Sequence, residues 1–196
     1  MLSTLKPIAT KNLQPIARLF KNVNPNYITL MGMIFPILFF ICILYKLYIP
    51  ALFVFIFNSV DMLDGMVARS HNKVTPFGGF LDSTIDRFSD YVVLIAFSFG
   101  ALVPWIIVAP LVLLTYLISY IRSRTELAAQ GKLVADVGII ERTERLFFVF
   151  IALLLYVMFP SLRFVNLNII SLTFIILILL SAVTVFQRIY FAYKRL

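Results

Sequence analysis

The sequence predicts an all-α integral membrane protein, with six transmembrane helices preceded by an N-terminal amphipathic juxtamembrane helix. Three observations carry that expectation. Of 196 residues, 62% are hydrophobic, with 20 Phe among them, and only 13% are charged; that composition belongs to the membrane class. The apolar residues gather in six runs, each near the ~20 residues a helix needs to cross a bilayer. The basic residues flank those runs. A formal net charge of +8 then reads as an orientation signal and as contact with anionic lipid, and no nucleic-acid partner is expected. The length fits one membrane domain, 23–196, behind a surface segment, 1–22.

Taken in order, residues 1–22 carry Leu2, Leu5, Ile8, Leu13, Ile16 and Leu19 at roughly helical spacing, with lysines between them. This predicts a helix lying on the membrane surface, broken at Pro7 and Pro15. The segment lacks a continuous apolar core, so no cleavable leader is expected. Asn24-Pro25-Asn26-Tyr27-Ile28-Thr29 marks a turn and a helix start. Apolar spans follow at 27–45, 50–68, 79–100, 104–125, 143–160 and 167–190. Pro36 and Pro110 fall inside spans and predict kinks. Tyr45, Tyr48 and Trp105 sit near span ends, as interfacial aromatics do. Cys42 is the only cysteine; it excludes an intrachain disulfide and, lying in an apolar run, reads as a packing residue. No internal repeat or low-complexity linker is evident.

Lys46 and Arg163 are the only basic residues in the loops after the first and fifth spans, and the loop after the third has none. The positive-inside rule then places both termini and the aspartate segment, Asp61–Asp86, on the cytoplasmic side of a multi-pass cell-membrane protein. All nine acidic residues fall between Asp61 and Glu144, on the same side.

The chemistry concentrates in Asp61–Asp86. Asp61 and Asp64 are three residues apart, Asp82 and Asp86 four; on helices each pair shares one face. Four converging carboxylates repel one another unless something positive lies between them, and hard divalent cations with oxygen ligands are the natural partner. Gly65, Ala68, Arg69, Thr75, Pro76, Gly78 and Gly79 lie between the pairs. Glycine admits a ligand close to the backbone, and arginine forks onto phosphate oxygens. Together they point to phosphoryl transfer on a diphosphate. Helix-end aspartates acting as caps would not need this context. His71 reads as a solvated loop residue, and Asp90 extends the Asp82–Asp86 face as a supporting one.

Two further stretches are charged: Ser119 to Glu126, with Arg122 and Arg124, and Gly138 to Arg145, with Glu141 and Arg142; Lys132 lies between them and Gln187-Arg188 follows. Arg122 and Arg188 stand toward span ends, where they must meet water, carboxylates, lipid phosphate or a charged ligand. Glu141 and Arg145 could simply pair at i, i+4. An acceptor that already carries phosphate would need such a cationic cluster.

Written out, Asp61-x2-Asp64-Gly65-x2-Ala68-Arg69-x8-Gly78-x3-Asp82-x3-Asp86 resembles the signature of the CDP-alcohol phosphotransferase family at all eight fixed positions. The basic stretches are similar to those of one branch, the phosphatidylinositol phosphate synthases and their archaeal archaetidylinositol counterparts. The resemblance implies transfer of a phosphatidyl or archaetidyl group from a CDP-linked lipid to the hydroxyl of an inositol phosphate, with release of CMP. It implies two Mg2+ or Mn2+ ions, one on Asp61, Asp64 and Asp82, the other on Asp61, Asp82 and Asp86, with Asp86 as general base. Asn26, Thr29, Gly65, Ala68, Arg69, Thr75 and Gly78 would touch the nucleotide and diphosphate. Ser119, Arg122, Arg124, Arg142 and Arg188 would take the phosphate of a phosphorylated polyol. It also implies a homodimer among membrane lipids. Glycerol 3-phosphate or serine remains open as acceptor, and a cation-coupled transporter is the alternative of another class.

Overall fold

The computed structural model describes residues 24–58, 75–164 and 166–196. The expected surface helix at 1–22 lies outside them. The described chain is helical but for one two-stranded hairpin: α1 Pro25–Gly32, α2 Ile34–Leu44, α3 Tyr48–Asn58, α4 Pro76–Phe99, α5 Trp105–Ala128, α6 Arg142–Met158, β1 Arg163–Phe164, β2 Leu167–Asn168 and α7 Ile169–Arg195. It divides into two compact units between Ala96 and Phe97.

In the first unit, Asn24 caps α1, its side chain accepting from the Asn26 amide at 3.0 Å, with Pro25 at the first helical position. This pairing satisfies an amide that would otherwise have no intrahelical partner. The expected disturbance at Pro36 is an interruption at Met33. Pro36 has no N–H to offer the Gly32 carbonyl four residues back, so the helix stops and restarts. α2 turns into α3 at Tyr45-Lys46-Leu47, and the two pack through Phe35 on Phe57 and the edge contact of Phe39 with Phe55 at 5.3 Å. Phe39, Ile43, Ala51 and Phe55 are buried. α4 opens on Thr75-Pro76, where the Thr75 hydroxyl accepts from the Gly78 amide at 3.0 Å.

In the second unit, α7 packs against both α5 and α6. α5 runs through Pro110, where a kink is expected, without a break in the helix. Pro110 is the sixth residue of the helix, where the one hydrogen bond it removes falls in the second turn. Asn168 fixes the start of α7: its Oδ1 accepts from the Ser171 amide at 2.8 Å, and its Nδ2 donates to the Leu102 carbonyl at 2.6 Å. The hairpin pairs Arg163 with Asn168 and Phe164 with Leu167, a feature the apolar pattern does not announce.

Three helices end in one device. At Lys46 (φ 59°), Ala101 (φ 57°) and Gln130 (φ 53°) the chain enters the left-handed region. The following amide reaches back five residues: Leu47 to Cys42 at 2.8 Å, Leu102 to Phe97 at 2.9 Å, Gly131 to Glu126 at 3.0 Å. This motif satisfies carbonyls that have no partner within the helix, and it usually employs glycine.

Among the described residues, three segments suffice by length and composition to cross a membrane: Pro25–Leu44, Trp105–Ala128 and Ile169–Arg195. Of the other expected spans, 50–68 is described only to Asn58, α4 carries Asp82, Asp86, Arg87 and Asp90, and α6 has 17 residues.

A side chain at positive φ costs about 1 kcal/mol relative to glycine. Ala101→Gly is therefore expected to raise the unfolding midpoint in detergent, by a free energy of roughly that size. A lower midpoint would show that the Ala101 methyl contributes packing that outweighs its strain.

Candidate active site

Three residues singled out from sequence converge in the first unit. Gly78 lies in the first turn of α4, where an added Cβ would stand 3.1 Å from the Thr75 hydroxyl and 3.3 Å from the Asn26 side-chain oxygen. The first turns of α1 and α4 thus meet, with a glycine at the contact. No acidic residue stands in α4's first turn, so the positive end of the helix dipole is left for an anion. Thr29 is buried and its hydroxyl donates to the Pro25 carbonyl at 3.1 Å; it completes α1 from behind.

Asp82 and Asp86 follow along α4, one turn apart and half-buried, and buried Asp90 continues the row. Arg87 donates to the Ser83 carbonyl at 2.9 Å and brings its guanidinium within 3.8 Å of the Asp86 carboxylate. Asp61, Asp64, Gly65, Ala68 and Arg69 lie outside the described residues. Among the described residues no three His, Cys, Asp or Glu side chains gather as a metal site. The donors that are described fit a hard divalent ion: two carboxylates on one helical face, partly withdrawn from water.

The second unit holds the basic residues. Arg188 is buried, 4% exposed. Its Nε donates to the Val137 carbonyl at 2.8 Å and an Nη to the Ile118 carbonyl at 2.7 Å. Arg122 lies between two carboxylates: its Nε donates to Glu126 at 3.0 Å and an Nη to Asp136 at 3.3 Å. Glu126 also accepts the Ala135 amide at 3.2 Å. Ser119 and Arg142 are half-buried, and Arg124 is exposed. Gln187 keeps its side-chain oxygen buried with no hydrogen-bond partner among the described residues.

The loop before α6 is pinned to α7. Gly138 (φ 152°) lies so close to Thr184 that a Cβ would come within 2.5 Å of its methyl, and the Thr184 hydroxyl accepts from the Ile140 amide at 3.2 Å. Glu141 then starts α6, its amide donating to Glu144 at 3.3 Å. Burial raises the Glu141 pKa first; the Asp136 carboxyl, by hydrogen bond and by charge, and Glu144 add to this, while Arg188 opposes it.

Sequence reasoning missed Glu126 and Asp136 as partners of Arg122, and the contact of Gly138 with Thr184 that pins the loop. Gly138 left a signal, a lone glycine in the loop ahead of an acidic helix start. Glu126 left another, since it stands four residues after Arg122.

Comparison with known proteins places these residues in context. Residues 22–187 match the family model described as CDP-alcohol phosphatidyltransferase. An archaetidylinositol phosphate synthase of Pyrococcus horikoshii is 36% identical, with 100% of this chain and 98% of that protein covered. The crystal structure of Mycobacterium tuberculosis phosphatidylinositol phosphate synthase with CDP-DAG bound matches at a TM-score of 0.79 and 28% identity, covering 92% of each chain. The same enzyme in complex with manganese and citrate also matches at 0.79, covering 92% of this chain and 88% of that one.

Glu141's carboxylate is disfavoured by folding, so its favourable contribution is present in acid, below the ordinary carboxylate range, and is lost as pH rises through its raised value. Glu141→Gln is expected to match the original protein's thermal midpoint in acid and to exceed it increasingly as pH climbs through the titration. A difference independent of pH would contradict this.

Proposed function

Because the chain belongs to the CDP-alcohol phosphatidyltransferase family, we propose that it transfers a lipid phosphate group from a CDP-linked lipid to the hydroxyl of an inositol phosphate and releases CMP. The observation that carries this reading is the meeting of Asn26, Thr75 and Gly78 at the head of the helix that bears Asp82 and Asp86. The names of the relatives support the acceptor and the CDP-lipid donor. A cation-coupled transporter is set aside by the family; glycerol 3-phosphate and serine remain the acceptors to test against.

Asp61, Asp64, Asp82 and Asp86 would hold two divalent ions, Mg2+ or Mn2+, an assignment supported by the manganese complex of the mycobacterial enzyme. Such ions supply Lewis-acid charge against the diphosphate and the departing CMP. The chain's own groups do the rest. Asn26, Gly65, Ala68, Arg69, Thr75 and Gly78 seat the nucleotide and diphosphate, with Thr29 holding α1 behind Asn26. Asp86 takes the proton from the acceptor hydroxyl. The acceptor oxygen then bonds to the lipid-linked phosphorus, the bond from that phosphorus to the bridging oxygen breaks, and CMP leaves with the electron pair. No covalent enzyme intermediate forms. Ser119, Arg122, Arg124, Arg142 and Arg188 take the acceptor's phosphate as charge-assisted donors.

The family and the apolar helices make this a membrane protein. We read it further as a six-span homodimer with an N-terminal surface helix, and with termini and active site on the cytoplasmic side.

Purified protein given a CDP-lipid and Mg2+ should release CMP with inositol phosphate and not with glycerol 3-phosphate or serine. Turnover with another alcohol alone would replace the acceptor, and no CMP release with any alcohol would reject the reaction. Asp86→Asn should cut kcat by about 10²–10⁴-fold; near-normal kcat would remove Asp86 as base.

Gly78→Ala forces Thr75 or Asn26 to give way. The expected outcome is a several-fold higher KM for the CDP-lipid at an unchanged unfolding midpoint. Unaltered donor kinetics would take these residues out of the nucleotide site.

A further inference from the structure

The two carboxylates on Arg122 are not equivalent. Glu126 sits one helical turn away on α5, where helical geometry holds it in register. It receives two donors, Arg122 Nε at 3.0 Å and the Ala135 amide at 3.2 Å. It therefore does two things: it orients the guanidinium and closes the turn after α5. Asp136 comes from the loop. Its side chain is 61% exposed, and its contact with Arg122 is the longer one, at 3.3 Å. Its carboxyl also lies within hydrogen-bonding reach of Glu141, which the negative charge of Asp136 disfavours as a carboxylate. Asp136 is thus held by one longer ion pair, exposed to screening, and by the hydrogen bond it shares with the Glu141 carboxyl. Exposed pairs of this kind contribute little to stability.

We propose that Asp136 is a resident anion on Arg122, a stand-in that the acceptor's phosphate displaces, while Glu126 is the positioning residue that keeps the guanidinium aimed. This rests on the reading that Arg122 takes the acceptor phosphate. Asp136 spends one fork of Arg122 on an internal partner when the site is empty. A phosphate brings more charge and more acceptor oxygens to the same donor, so the exchange favours the ligand. When Asp136 swings into water, it exchanges its hydrogen bond with Glu141 for bonds to solvent. The loop thereby sets how much acceptor is needed: Asp136 competes with the acceptor, and it discriminates against any alcohol that carries no anion to replace it.

The two carboxylates then have opposite signatures. With CDP-lipid saturating and inositol phosphate varied, Asp136→Ala should lower the acceptor KM several-fold at unchanged kcat and donor KM. Glu126→Gln should raise it, and the double variant should stay above the original protein. A purely structural role for both would move KM in the same direction, and that result overturns the proposal, as does an unchanged or raised KM in Asp136→Ala. Because Asp136 is exposed, loss of fold does not obscure the result; Asp136→Asn, which keeps the shape but not the charge, must act in the same direction as Asp136→Ala. Arg122→Gln separates the two levels. If it leaves the acceptor KM unchanged, Arg122 is not an acceptor contact, and the reading beneath the proposal fails. If it raises KM while both Asp136 variants do not lower it, only the proposal fails.

Discussion

A backbone group left bare in hydrocarbon costs several kcal/mol, and the second unit is built around meeting that constraint. The buried guanidinium of Arg188 is met by two backbone carbonyls: the loop carbonyl of Val137 gains a donor, and the carbonyl of Ile118, inside α5, takes a second one. The arginine cannot stay charged in an apolar setting without such acceptors. One side chain so fixes α7 to α5 and to the loop before α6. Thr184 repeats the arrangement a turn earlier, accepting the Ile140 amide while donating to the Leu180 carbonyl at 3.0 Å. The left-handed residues that end α2, α4 and α5 answer the same demand, and there strain is accepted in exchange for satisfied carbonyls.

The same economy governs charge. Arg188 spends two of its donors on the backbone, so its part in holding an anion would be as a fixed positive field with what donors remain. Arg122 sits nearer water and is paired with two side-chain carboxylates, not with the backbone. Arg188 and Arg122 both contact the same loop, 135–141. In the first unit the corresponding economy is steric. Gly78 has no side chain, so Asn26 and Thr75 approach the α4 backbone closely enough to frame a site at a helix N-terminus.

Much of the fold was legible because apolar runs of membrane length have few alternatives. The expected spans 104–125 and 167–190 correspond to α5 and α7, and 143–160 to α6, within a few residues. Asn24-Pro25 signalled a helix start through local capping chemistry, which a sequence displays directly. The break at Met33 follows from Pro36. What stayed hidden depends on distance along the chain. Arg188 reads as a costly charge near a span end, but its acceptors lie 51 and 70 residues away, and nothing local names them. Asp136 reads as an ordinary loop acid. Its contact with Arg122 exists only because the turn at Gln130 and Gly131 folds the loop back over α5. The hairpin at Arg163–Asn168 escaped for a different reason: two-residue strands leave no period to detect.

Asn168 reaches across 66 residues to the Leu102 carbonyl, and that separation bears on the order of synthesis. The corner between α4 and α5 leaves the ribosome long before the amide that completes it. Until the last helix has threaded into the bilayer, that corner must borrow water or lipid headgroups as a temporary partner. The final helix therefore acts as a keystone: a chain that stopped before Asn168 would carry its defect at the Leu102 corner, far back along the sequence from the missing residues.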